Sequence, residues 1–77
     1  MGEQFDQYTE MVTTPDGGTF VVEARRPKLG DGDSLLVIRS MTGLPRWRKV
    51  LPHDADLNER VHAIADDLQQ GHWPTDA

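Results

Sequence analysis

No cysteine occurs anywhere in this chain. That absence removes disulfides, thiolate metal sites and thiol catalysis together, and it fits a reducing compartment. Long apolar runs are missing too: the longest, Leu35 to Ile38, is four residues, far short of a membrane span or a signal-peptide core. The first residues are acidic where a signal peptide is basic, and Asp6 stands where a myristoylation motif requires Ser or Thr. The expected location is the cytoplasm, with no membrane partner.

Catalytic and metal motifs are lacking as well. Ser34 and Ser40 are the only serines; neither lies in Gly-x-Ser-x-Gly and neither has a histidine nearby in sequence. Gly30-Asp31-Gly32-Asp33-Ser34 carries the first two acidic positions of a calcium loop, but Leu35 fills the third ligand position and no glycine-then-glutamate completes it. The same aspartates would repel a phosphate brought to these glycines. His53, His62 and His72 are spaced nine and ten apart, which matches no zinc pattern, and His62 with Asp66 lacks a third ligand. The chain is read as noncatalytic, without cofactor or metal, and a small enzyme ranks behind two binding readings.

What is present is a segregation of charge. Residues 1–24 hold five carboxylates and no base, residues 25–49 hold seven bases against two carboxylates, and residues 50–77 hold six carboxylates against Arg60. The three segments carry −5, +5 and −5 within a net −5. Such patterning predicts a cationic strip on an acidic particle and an anionic partner or surface for it.

At 77 residues and 36% hydrophobic the chain makes one small domain with a thin core. Residues 1–7 read as a frayed N-terminus, 8–71 as the domain and 72–77 as a flexible tail. Tyr8–Thr14 and Thr19–Arg26 are rich in β-branched and aromatic residues and flank Pro15-Asp16-Gly17-Gly18, so they predict a β-hairpin. A two-residue loop at Asp16-Gly17 would pair Thr14 with Thr19, Val12 with Val21, Met11 with Val22 and Glu10 with Glu23. Met11, Thr13, Phe20, Val22 and Ala24 would then share the core face. Pro27 to Ser34 reads as a loop, Leu35 to Ser40 as a third strand with Leu36 and Ile38 inward, and Arg46 to Leu51 as a charged, edge-like fourth strand.

A helix follows. Asp56 is its N-cap, Glu59 completes a capping box and Gly71 marks a left-handed end. Leu57, Val61, Ile64, Ala65 and Leu68 form one apolar stripe with Ile64 at its centre, destined for the Met11/Phe20/Val22 face. The predicted class is α+β: a four-stranded antiparallel meander (ββββα) with one C-terminal amphipathic helix packed on one face. That order of elements resembles, in topology alone, the sheet-reading DNA-binding domains of phage-type integrases. Their arginine- and tryptophan-rich strands are not reproduced before Arg46, and no family is assigned.

Two surfaces emerge as candidates. On the face away from the helix, Val12, Val21, Leu35 and Val37 make an aliphatic centre rimmed by Glu10, Glu23, Arg39 and Arg48, the composition of a protein-binding patch. Its expected occupant is another protein or, most simply, a second copy: a homodimer in which Arg39 or Arg48 of one chain neutralises Glu10 and Glu23 of the other, relieving the repulsion of those two glutamates across the hairpin. The alternative is nucleic acid, held by Arg25, Arg26, Arg39, Arg46 and Arg48 with Trp47 stacking a base. Against it, Trp47 can pack under the helix while its basic neighbours guard an edge strand. Which face Trp47 takes is left open by the glycine-containing loop before it.

Overall fold

The computed structural model describes residues 5–28, 30 and 32–74. Residues 1–4 and 75–77, where fraying was expected, lie outside the described residues, as does Asp31 of the calcium-like loop. Strands β1 (Phe5–Thr13), β2 (Thr19–Pro27), β3 (Ser34–Ser40) and β4 (Pro45–Leu51) are followed by helix α1 (Leu57–Gln69). The strands form one antiparallel sheet in the order β1-β2-β3-β4, and α1 packs on it. The predicted α+β meander with one covering helix is therefore the fold. β1 starts three residues before the expected Tyr8.

The register of the first hairpin differs from expectation by one residue, and the cause lies in the turn. Thr14 N–H donates to the Gly18 carbonyl at 2.8 Å and Gly17 N–H donates to the Thr14 carbonyl at 2.9 Å. The loop is thus three residues, Pro15-Asp16-Gly17, with Gly17 at φ 93°. This is a type I turn completed by a left-handed glycine. It suits Pro15, whose fixed negative φ belongs at the second position of such a turn, better than a two-residue loop does. The Asp16 carboxylate accepts the Thr14 hydroxyl and the Gly18 N–H; the first bond chiefly, then the second, holds its pKa below the ordinary carboxylate value.

One extra loop residue turns every side chain of β1 over. Val12 now pairs with Phe20, Met11 with Val21, Glu10 with Val22 and Thr9 with Glu23. Val12 is 2% exposed and in the core, whereas Met11 is 61% exposed on the opposite face, and Thr13 is exposed with it. The core consists of Val12, Val22, Ala24, Leu36, Ile38 and Leu51 from the sheet with Leu57, Val61, Ala65 and Leu68 from the helix. Each valine, leucine or isoleucine among them, withdrawn from water, contributes about 1.5–3 kcal/mol. Ile64 is only partly buried at the margin of this cluster, not at its centre.

The second hairpin repeats the first. Ser40 N–H donates to the Leu44 carbonyl and Gly43 N–H to the Ser40 carbonyl, both at 2.9 Å, with Gly43 at φ 93°. Beyond it the ladder slips: Ile38 faces Trp47, but Arg39 faces Pro45, so Arg46 is an inserted residue.

The helix begins and ends as its caps predict. Glu59 N–H donates to the Asp56 carboxylate at 3.2 Å. At the other end Gly71, at φ 81°, donates to Leu68 and His72 donates to Asp67, the paired bonds of a Schellman motif. Asp56→Ala should therefore cost about 1 kcal/mol, read as a fall of roughly 4–8 °C in the thermal midpoint of a domain this size. An unchanged midpoint would show that the cap carries no stability.

Candidate functional site

The side of the sheet away from α1 is open, and alternation along each strand decides what it displays. Across the sheet run three rows: Gln7, Arg25, Leu35 and Val50; Thr9, Glu23, Val37 and Arg48; Met11, Val21, Arg39 and Pro45. Val21, Leu35, Val37, Glu23, Arg39 and Arg48 thus share the face on which the sequence placed them. Val12 and Glu10 do not. The one-residue shift carries Val12 into the core and turns Glu10 to the helix side, where its carboxylate meets His62 Nδ1 at 2.5 Å.

With that, the clash of Glu10 against Glu23 disappears. Glu23 lies across from Thr9 on one side and Val37 on the other. Its carboxylate accepts Arg39 Nε at 3.0 Å and Gln7 Nε2 at 2.7 Å, and Arg25 Nε stands 3.9 Å away. The glutamate side chain is only 13% exposed, so it is neutralised within its own chain. Val37, set between Glu23 and Arg48 in the same row, is 6% exposed although it lies on the face away from the helix. The aliphatic centre of the predicted patch is thereby partly sealed. The apolar surface still open on this face moves outward to Met11 and Val50, and to Phe5, over whose ring the Arg25 guanidinium sits at 5.6 Å.

The basic middle segment is split between two faces. Arg25, Arg39 and Arg48 point to the open face. Arg26 turns to the helix side, where its guanidinium donates to the carbonyls of His53 at 2.8 Å and Ala55 at 3.2 Å and lies 3.8 Å from Asp6. Trp47, opposite Ile38, packs against the core on that side as well. Arg46 lies over the rings of Phe20 and Trp73, at 5.9 and 6.0 Å, while those rings meet edge-to-face at 4.9 Å. Sequence reasoning missed this stack; the strand slip at Arg46 that creates it has no signature in composition.

Hydroxyl and imidazole groups are engaged separately. The Ser34 hydroxyl, 1% exposed, donates to the Pro52 carbonyl; Ser40 bonds Thr42; His53 Nδ1 lies 2.8 Å from the Gly32 carbonyl. Among the described residues no group of three His, Asp or Glu side chains could hold a metal ion, and no helix is long and apolar enough to cross a membrane. No protein-family model, curated protein or solved structure matches this chain.

Proposed function

We propose that this chain is a noncatalytic binding module that holds an acidic surface of another protein on the open face of its sheet. The observation behind this reading is the sign of that face. Among the described strand residues it displays Arg25, Arg39 and Arg48 against Glu23 alone, a formal +2 within a chain whose total is −5. Exposed Met11 and Val50 beside half-buried Val21 and Leu35 supply apolar contact between the arginines. Methionine and arginine are side chains in which protein interfaces are enriched.

A homodimer through this face loses the reasons that favoured it. Glu10 is absent from the face, Glu23 is already paired, and a twofold axis would set +2 against +2. The nucleic-acid reading keeps three of its six residues on one surface, since Arg26, Arg46 and Trp47 turn away, and the acidic remainder of the chain opposes a polyanion.

The test compares wild type with an Arg39→Glu, Arg48→Glu double variant, each verified as folded by circular dichroism. Immobilised wild type should retain an acidic protein from native lysate that the double variant loses, and retention should weaken as salt rises. Sedimentation equilibrium at high micromolar concentration should show monomer, and DNA probes at low salt should give no gel shift. Equal capture by both baits removes the open face as the binding site. A dimer would restore self-association, and a gel shift abolished by the double variant would move the assignment to nucleic acid.

A further inference from the structure

The helix is not centred on the sheet. It lies over β1 and β2 and reaches β3 less, and among the described residues no Cα of α1 comes within 8 Å of one in β4. The helix side of β3 and β4 is consequently left as a groove of about 220 Å³. Leu36 and Leu51 floor it, Trp47 forms the sheet-side wall and Ala63 and Ile64 form the helix-side wall. At its rim stand Arg60, Lys49 and Pro74, and among the described lining residues Asp67 is the one carboxylate.

This groove borders a sheet edge. Among the described residues β4 pairs with β3 only, and the outer row of peptide groups on an edge strand is a template for another chain. Charge on an edge ordinarily guards it, but this guard has one sign. Pro45–Leu51 contains Arg46, Arg48 and Lys49 and no carboxylate. Such an edge repels a basic strand, the β4 of another copy included, and attracts an acidic one. Among the described residues no hydrogen bond or ion pair holds the side chain of Arg48 or of Arg60.

We infer that the β4 edge and its groove form a second docking site, which shares Arg48 with the open face and takes up an extended acidic peptide as a fifth strand. Alternation fixes the pattern of that peptide. Side chains on the helix side of the added strand lie beside Trp47, Lys49 and Leu51; they enter the groove between Leu36, Leu51 and Trp47, with Lys49 at its rim, and are apolar. Those between them lie beside Arg48 and Val50 on the open side, where the Arg48 guanidinium favours carboxylates. The occupant is a segment in which Glu or Asp alternates with aliphatic residues.

The probe is a blocked heptapeptide, Glu-Leu-Glu-Val-Glu-Leu-Glu, titrated into the ¹⁵N-labelled chain. A control peptide of the same composition has all its glutamates first. Saturable shifts of the amides of residues 46–50, with slowed hydrogen exchange, are expected for the alternating peptide and not for the control. Ala63→Trp, which fills the groove from an exposed helix position, and Arg48→Glu should each weaken binding about tenfold or more, while Arg39→Glu on the open face should change it less than about twofold. Equal binding of the control, indifference to Ala63→Trp, shifts confined to β1 or the open face, or no shift at about 5 mM peptide would each overturn the inference. So would concentration-dependent oligomers that the peptide disperses, because the edge would then belong to the acidic β1 of another copy.

Discussion

Leu68→Asp is expected to leave the chain unfolded at 25 °C. Leu68 is fully buried on the last turns of α1, in one cluster with Val12, Val22, Val61 and Ala65. A carboxylate there would meet no donor, and stranding a charge in an apolar site costs several kcal/mol, added to about 2–5 kcal/mol for the lost leucine packing. A domain of this length has only about 4–12 kcal/mol to lose. Leu68→Ala, which omits the charge, should keep a cooperative urea transition lowered by about 2–5 kcal/mol. Ile64→Ala should cost less than half of that, because Ile64 faces the groove beside β4 and is only partly withdrawn from water. Circular dichroism and urea titration read all three. A wild-type transition for Leu68→Asp, or a larger loss for Ile64→Ala than for Leu68→Ala, would place the helix axis elsewhere.

The ranking of Leu68 over Ile64 shows where a sequence stops being informative. Helical period identifies the apolar stripe, and all five of its residues do turn toward the sheet. Period alone does not say which strands the helix covers, and the displacement over β1 and β2 moves the centre of burial off Ile64 and opens the groove. The caps were legible because Asp56 and Gly71 act locally: one satisfies an N–H, the other accepts a positive φ. β2 and β3 were legible because their alternation and their charged positions agree on one face. β1 was not, since Tyr8, Met11 and Val12 put apolar residues on both faces and leave the register to the turn. The turn was then decided by Pro15, a residue whose usual place gives a three-residue loop. On the open face the misreading reached only Val12 and Glu10, the two candidates that lie on β1. On β4 the insertion at Arg46 and the stacking of Trp73 on Phe20 join residues far apart in the chain, and nothing local encodes either.

Val12→Asp and Met11→Asp form the sharpest test of that register, because neighbouring residues receive the same substitution and opposite results are expected. Val12, 2% exposed, faces the helix, and an aspartate in its place is too short to reach water past the core. The uncompensated charge and the lost packing together should remove more than about 3 kcal/mol and leave little or no cooperative transition at 25 °C. Met11, 61% exposed, stands on the open face of an edge strand across from Val21. There aspartate meets solvent and loses only strand preference, a cost of about 1 kcal/mol or less. The two-residue loop at Asp16-Gly17 would reverse the order: Met11→Asp would unfold the chain and Val12→Asp would be tolerated. Urea titration of the pair decides between the registers. With the register goes the placement of Glu10 beside His62, the freedom of Glu23 to pair with Arg39, and hence the net positive sign of the face proposed to bind.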